Sequence, residues 1–320
     1  MILAHVAIAA EHFAVFGDST RFALKPSPST DPFLLAYDAG HPLKVNVEMH
    51  LEDSDLPDLS SHRRIFHGAD LWSLVSDDRG YWLESTVPTG QTPPSRGMWF
   101  DRLVDHVTYY CGRRPAKEDS ALTVPNPLHN PFGQVLMMHR LATRQGTVVH
   151  ATGAVVNGRA LVFAGRSGAG KTTLARLLNN HKDIQLLSDD RVIIRQIGGI
   201  FHAFGTPWPG DAGVAANLGA PLAAIAFLSH APATSLRRIT ATRIFDQLMQ
   251  VMAVPWYDRQ LIPALLTLAQ DLISQVPALD LQILPSAQVA DTILELACAW
   301  PRLSDVARPA SACTPVGPTA

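Results

Sequence analysis

The stretch "RALVFAGRSGAGKTTLARLL" (residues 159–178) decides the fold. The run "ALVFA" is continuously apolar, as in a strand buried on both faces, and "TTLARLL" begins an amphipathic helix. The segment between them matches the phosphate-binding sequence G-x-x-x-x-G-K-[ST]. We name it the glycine loop; it consists of Gly165, Arg166, Ser167, Gly168, Ala169, Gly170, Lys171 and Thr172. A strand, a glycine loop and a helix in this order predict an α/β fold in which the loop binds an anion.

The residue types of the glycine loop suit the binding of a nucleoside triphosphate. Glycines allow the backbone to wrap a phosphate, so that N–H groups and the positive end of the helix dipole face the anion. Lys171 is expected to reach the outer phosphates, and the hydroxyl of Thr172 to hold magnesium. We therefore predict ATP and Mg²⁺ as ligands, with Thr173 as a further nucleotide-binding residue. The alternative is a glycine-rich turn that carries Lys-Thr by chance.

A second strand is predicted to return to the sheet edge that carries the glycine loop. The helix after the loop covers about 14 Å at 1.5 Å per residue, and "IQLLSDD" (residues 184–190) then runs back. Asp189 and Asp190 arrive beside the triphosphate, where a carboxylate requires a cation such as magnesium. Adjacent strand residues point to opposite faces. One aspartate can thus touch the metal while the other faces the substrate hydroxyl or braces the first, and the sequence leaves open which does which.

The tetrapeptide SDDR occurs twice, at residues 76–79 and 188–191, with different neighbours. The first copy lies between two runs with strand character, and Asp-Arg-Gly is typical of a tight hairpin turn. Asp77 and Asp78 are therefore predicted to be solvated turn residues without a catalytic role. The second copy has a similar alternative interpretation, in which Asp189 and Asp190 simply end a strand and have no catalytic role.

The chain after the second SDDR departs from a purely parallel nucleotide-binding sheet. Gly198-Gly199 lies between "RVIIRQI" and "IFHAFG", which predicts a two-residue hairpin and hence a mixed sheet. The loop "GTPWPGDAG" (residues 205–213) follows. Its Trp208 and Asp211 are candidates for a segment that covers the substrate. The alternative is a surface turn with a packed tryptophan.

Composition and proline-rich connectors divide the 320-residue chain. With 47% hydrophobic and 17% charged residues, it is a chain that buries much apolar surface. We predict a small strand-rich or α+β domain over residues 1–125, a P-loop domain over 126–300 and a disordered tail over 301–320. The polar segment "DSALTVPNPLHNP" (residues 119–131) marks the boundary between the two domains.

Composition also excludes several classes of partner. The net charge is −2 and no extended Lys/Arg stripe is present, so nucleic acid is not an expected partner. No apolar run approaches the roughly 18 to 20 residues that span a bilayer, and the first residues lack the pattern of a signal peptide. The three cysteines are widely spaced, without a CxxC pair. We therefore predict a cytoplasmic protein without a membrane partner, for which a homo-oligomer is allowed.

The order and spacing of "VVHATG" (residues 148–153), the glycine loop, "LLSDDRVIIR" and "GTPWPGDAG" resemble the catalytic domain of HPr serine kinase/phosphorylase and its relatives. Within this family the chain is most similar to HPr-kinase-related proteins of bacterial peptide-modification genes, including lasso-peptide tailoring kinases. The resemblance covers roughly residues 130–295. It implies a phosphoenolpyruvate-carboxykinase-like P-loop domain with a mixed sheet, and transfer of a phosphoryl group to a serine hydroxyl.

The resemblance also implies that His150 lies in the active site, where it orients the aspartate pair or contacts the transferred phosphate. Without it, a lone histidine at the end of an apolar run is more often a packed residue. HPr kinases carry a glycine- and arginine-rich signature after the aspartate pair, and "GTPWPGDAG" stands in its place here. This difference argues against HPr as the substrate. It leaves as acceptor a hydroxyl of a peptide, such as a ribosomally made peptide precursor, of another protein, or of a small hydroxylated molecule.

Two other classes of function remain open. A nucleotide-binding regulator would bind ATP tightly and would move the loop at residues 205–213, which contains Trp208, without phosphorylating an acceptor. A kinase or carboxykinase acting on a small metabolite would need an arginine cluster for the carboxylates of its acceptor. The candidates for such a cluster are Arg166, Arg191 and Arg195.

Overall fold

The computed structural model describes residues 1–36, 43–68, 72–85, 96–112, 121–286, 289–295 and 297. These residues form a mixed α/β fold that combines three sheets with α-helices. None of the helices in these ranges is both long and apolar enough to cross a membrane. The predicted tail, residues 301–320, lies outside the described residues.

The N-terminal part of the chain is built from strands. Those described before residue 126 are β1 (Ile2–Ile8), β2 (Glu11–Phe16), β3 (Phe22–Lys25), β4 (Leu34–Leu35), β5 (Val47–Glu52), β6 (Arg63–Gly68), β7 (Trp72–Ser76), β8 (Gly80–Ser85), β9 (Gly97–Asp101), β10 (His106–Tyr110) and β11 (Leu122–Pro125). Nine of these described strands form one sheet in the order β4-β1-β2-β5-β10-β9-β8-β7-β6, and β3 pairs with β11. β5 lies parallel to both of its neighbours, β2 and β10.

The central strand β5 illustrates why these residues form a sheet with one covered face. Val47, Met49 and Leu51 are buried, whereas the residues between them are exposed. Side chains alternate between the two faces of a strand, so this pattern places the apolar residues against the core. The first SDDR lies between β7 and β8 as predicted, and Asp78 is exposed there. Asp77, expected to be solvated, is half-buried. Its carboxylate accepts the N–H groups of residues 79 and 80 and the indole N–H of Trp82.

The second sheet follows the helix α1 (Phe132–Ala142). Its described strands are β12 (Gly146–Val156), β13 (Arg159–Ala164), β14 (Gln185–Ser188), β15 (Arg191–Ile197), β16 (Ile200–Phe204), β17 (Gly219–His230), β18 (Ser235–Arg238) and β19 (Ala278–Ile283). Three further helices are α2 (Lys171–Leu178), α3 (Ala241–Val251) and α4 (Ile262–Gln275).

The second sheet is mixed, which confirms the prediction from the glycine pair. Gly198 and Gly199 turn the chain between β15 and β16 with φ of +57° and +82°, a region that favours glycine. β13, β17 and β19 are mutually parallel neighbours, while β12, β15 and β16 pair in antiparallel fashion. The carboxyl ends of the parallel strands therefore meet at one edge of the sheet, where the glycine loop begins.

Both faces of the second sheet are covered by helices. Leu174 and Leu178 of α2 are buried in one cluster, and Leu248 of α3 and Leu265 of α4 are buried in another. The α3 helix begins after Thr240, whose hydroxyl accepts the N–H of Arg243 and so caps the first turn. Burial on both faces explains the continuous apolar runs of β13 and β17.

The two large sheets are joined by a shared core and by a buried ion network. Phe13 of β2, Leu136 of α1 and Ile193 of β15 belong to one hydrophobic cluster. Beside it, the carboxylate of Glu11 accepts from Arg140 at 2.7 Å and from Arg195 at 2.5 Å, and Glu11 and Arg140 are each 2% exposed. Arg195, one of the arginines that a metabolite acceptor would need, is therefore engaged at this junction.

Candidate functional site

The glycine loop runs from the end of β13 into the first turn of α2. Gly168 and Gly170 have φ of +81° and +98°, where a residue with a Cβ would be strained. Gly170 is also the N-cap of α2. The loop's backbone therefore lies at the N-terminus of a helix, where N–H groups and the helix dipole favour an anion.

Lys171 is held against the backbone of the glycine loop. Its Nζ donates to the carbonyl oxygens of Gly165 at 2.8 Å and of Arg166 at 2.9 Å. Burial lowers the pKa of Lys171, although the nearby charge of Asp190 opposes this effect. An ammonium group has three N–H donors. One donor is therefore left for a ligand, and the other two fix the position of the charge.

A cavity of ≈ 410 Å³ opens beside the loop. It brings together most of the predicted site residues, which come from four separate segments of the sequence. Its lining is His150, Ser167, Gly168, Gly170, Lys171, Thr172, Thr173, Asp190, Gly210, Asp211 and His230. The predicted residues that do not line it are Gly165, Arg166, Ala169, Asp189 and Trp208.

Asp190 is the acidic residue of the SDDR pair that faces this cavity. His150 Nε2 lies 2.8 Å from one of its carboxylate oxygens, and an Nη of Arg191 lies 2.9 Å from the other. Burial on its own would raise the pKa of Asp190. The hydrogen bond from His150 and the charges of Arg191 and Lys171 outweigh burial and hold this pKa below its usual value. The carboxylate is therefore ionised at neutral pH and next to the space that a ligand would fill.

Asp189 points the other way and is 1% exposed. Its carboxylate accepts three backbone N–H groups, from Gly210 at 3.0 Å, Ala212 at 2.7 Å and Val214 at 3.1 Å. The divergence follows from position, since consecutive residues at the end of a strand present opposite faces. Asp189 thus holds the loop that forms the wall of the cavity.

The loop at residues 205–213 is anchored at a second point. Trp208 is 2% exposed, and its indole N–H donates to the carbonyl oxygen of Leu128 at 2.8 Å. Its ring belongs to the core that joins the two sheets. Asp211, three residues later, is exposed and lines the cavity. The loop therefore has a packed end and an end that faces the site.

Sequence reasoning did not identify two residues that contact the site segments. The hydroxyl of Thr152 is buried and lies 3.1 Å from the carbonyl oxygen of Lys171 and 3.3 Å from that of Asp189. His230, at the end of β17, has its Nε2 3.1 Å from the carbonyl oxygen of Gly168. Both follow apolar runs, but only the pairing of the strands shows what they contact.

The oxygen donors of the cavity are compatible with a magnesium–nucleotide ligand. Magnesium is usually held by one or two carboxylates, with phosphates and water filling the other positions. Thr172 and Asp190 offer a hydroxyl and a carboxylate to the same cavity. The described ranges hold no group of three or more His, Cys, Asp or Glu that would bind a metal without such help.

Comparisons with known proteins add little to this geometry. No family model matches the chain, and no curated protein sequence is similar to it. Among solved structures, the Hpr(Ser) kinase/phosphatase from Coxiella burnetii is 15% identical, with a TM-score of 0.28. That match covers 50% of this chain and 92% of the Coxiella chain.

Proposed function

We propose that the protein is an ATP- and Mg²⁺-dependent kinase that transfers a phosphoryl group to a hydroxyl. One observation carries the proposal: the His150–Asp190 pair faces the same cavity as Lys171 and Thr172 of the glycine loop. The loop supplies the anion-binding backbone. The His150–Asp190 pair supplies a proton acceptor next to the position expected for the terminal phosphate. Positioning and charge stabilisation are the main requirements of phosphoryl transfer.

The roles of the residues follow from their contacts. Lys171 neutralises charge on the outer phosphates, and Thr172 and Asp190 are the residues that would hold magnesium, which shields the phosphate charge. The acceptor oxygen attacks the γ-phosphorus while the bond to the β,γ-bridging oxygen breaks and ADP leaves. The hydroxyl proton passes to Asp190, which His150 orients. Asp189 braces the wall formed by residues 210–214.

The acceptor in this proposal is a serine of a peptide or protein, such as a ribosomally made peptide precursor. This choice rests on the resemblance of the motifs. Nucleic acid is not a partner in this proposal because the net charge is −2 and the sequence has no extended Lys/Arg stripe, and a membrane is not a partner because no apolar run is long enough to span one. Ser167 and Asp211 are exposed at the cavity and would meet such a chain first. A homo-oligomer in the cytoplasm, with residues 1–125 and 126–300 as its two domains, is part of the same proposal.

The two alternative functions find less support in the contacts. A regulator that moves the Trp208 loop would have to break the Trp208–Leu128 hydrogen bond and the three bonds to Asp189. A kinase acting on a metabolite that carries carboxylates would need arginines that are available to bind those carboxylates. Arg166 donates to Gln250, Arg191 pairs with Asp190, and Arg195 pairs with Glu11.

The proposal is tested by incubating the protein with Mg-ATP and the peptide products of neighbouring genes. We expect one acceptor to gain about 80 Da, the mass of one phosphoryl group, by mass spectrometry. Lys171→Ala should abolish this product without unfolding the protein, because it removes charge stabilisation worth several kcal/mol at the transition state, on the order of an oxyanion donor. Lys182→Ala, which changes an exposed lysine, is the matched control. Activity of Lys171→Ala within about tenfold of the wild type, against the hundredfold or more that a lost donor costs, would refute the glycine loop as the catalytic site.

A further inference from the structure

We propose that His230 is a positioning residue that holds the glycine loop in the conformation that binds nucleotide. This inference rests on the proposed function and adds to it a residue from outside the loop. Nε2 of His230 lies 3.1 Å from the carbonyl oxygen of Gly168. A carbonyl oxygen can only accept, so Nε2 carries the hydrogen and donates it.

The sheet explains why His230, 62 residues after Gly168 in the chain, reaches the loop. β17 lies parallel to β13, with Phe227 paired to Ala164, the last residue of β13. β17 continues to His230, so its final residues run beside the glycine loop. On its other side this extension pairs with β19 as far as Ile283. His230 is therefore presented by a strand that is itself held in place.

The imidazole also packs against the start of α2. A Cβ built on Gly170 would lie 2.9 Å from Cε1 of His230, closer than real Cβ atoms approach a neighbour. The ring thus contacts the loop at Gly170 and bonds to it at Gly168, on either side of Ala169. These two contacts restrict the peptide groups whose N–H donors a phosphate needs.

Such a restraint is expected to improve affinity because it reduces the ordering that binding would otherwise require. Glycines with positive φ are the residues with the most backbone freedom, and the loop has two of them, Gly168 and Gly170. A surface histidine without this role would leave nucleotide affinity unchanged when replaced. Affinity and stability therefore have to be measured together.

The first experiment measures the Kd for Mg-ATP by calorimetry, and the thermal midpoint, for four proteins. Relative to the wild type, His230→Ala should bind about three- to tenfold more weakly, the loss typical of one hydrogen bond, with an unchanged midpoint. His230→Gln should restore most of the affinity, because its amide Nε2 can donate from a similar position. His202→Ala is the matched control, since that ring bonds to the carbonyl of Ile200 on its own strand.

The second experiment introduces Gly170→Ala with and without His230→Ala. In the wild-type background the new methyl meets both the imidazole and an unfavourable φ, whereas in the His230→Ala background only the φ penalty remains. Gly170→Ala should therefore weaken Mg-ATP binding by a smaller factor in the His230→Ala background. Equal factors would show that the ring does not restrain the loop.

The outcomes separate this inference from the proposed function. A wild-type protein that does not bind Mg-ATP overturns the proposed function and the inference with it. If the wild type binds and Lys171→Ala weakens binding, while His230→Ala binds as tightly as the wild type, the role of His230 alone is overturned. Weaker binding by His230→Ala together with a lowered midpoint and no rescue by glutamine would also overturn it, because the residue would then act only on stability.

Discussion

The carboxylates of Asp189 and Asp190, adjacent in sequence, contact different parts of the protein. Asp189 is buried and accepts three backbone N–H groups of the loop at residues 210–214. Asp190 faces the cavity and accepts from His150. One residue of the pair therefore holds the wall of the site, and the other is available to a ligand. Substitutions of Asp189 and of Asp190 should therefore affect different properties of the protein.

Asp190→Asn should lower turnover by at least about two orders of magnitude, because it removes the carboxylate that we propose as proton acceptor and metal ligand, and either role is typically worth that much. The free energy of unfolding should change little, since the carboxylate is partly exposed. The measurement is kcat with Mg-ATP and acceptor, alongside denaturant unfolding. Asp78→Asn, in the exposed turn of the first SDDR, is the control that should alter neither quantity.

Asp189→Asn should instead destabilise the fold by about 2–4 kcal/mol, because an amide offers one acceptor oxygen where three backbone donors need partners. Activity should fall mainly through loss of folded protein, and it should recover at lower temperature. Urea unfolding and kcat at two temperatures check this. A variant with wild-type stability and a hundredfold loss of kcat would show that Asp189 acts in the chemistry.

His150→Ala should move the acid limb of the kcat/KM profile to higher pH. The hydrogen bond from His150 helps to hold the pKa of Asp190 below its usual value against the opposing effect of burial. Without that bond the pKa rises, so the carboxylate is protonated, and activity lost, earlier as the pH falls. His202→Ala should leave the profile unchanged. An unmoved limb in His150→Ala would mean that Asp190 is not the group that titrates.

Glu11→Gln should cost about 3–5 kcal/mol of stability, as expected when one partner of a buried ion pair is neutralised. The change leaves Arg195 without its carboxylate and Arg140 with Asp105 as its remaining acidic partner. Unfolding in urea measures the loss. Glu48→Gln, on the exposed face of β5, should be close to neutral and is the control. An equal effect of the two substitutions would contradict the importance of the buried network.

His139 should make the protein less stable in acid. Burial lowers its pKa to about 4, and its Nδ1 donates to the carbonyl of Val135. Because the pKa in the folded protein is below the unfolded value, the stabilising contribution is complete above about pH 6.5. It is lost as the pH falls towards about 4, by roughly 3 kcal/mol in total. His139→Phe, which keeps a ring against Tyr81 and Phe100, should reduce this pH dependence in urea unfolding.

Much of the second sheet could be predicted from local sequence. The apolar run of residues 160–164, the glycine loop and the start of α2 follow one another as expected, because glycine, lysine and helix-forming residues impose their conformations over a few positions. Gly198 and Gly199 likewise form the predicted hairpin and make the sheet mixed. These features depend on backbone preferences that act within a turn or two.

The sequence by itself thus predicted the glycine loop at the start of a helix and the acidic pair that lies near it. Only the tertiary structure decided that Asp190 faces the cavity while Asp189 holds residues 210–214, that Trp208 belongs to the core, and that His230 contacts the loop. The physical reason is that side-chain direction at a strand end, and the neighbour that a strand meets, depend on pairing between segments far apart in the chain. A pattern within one segment does not specify which distant strand that segment will meet.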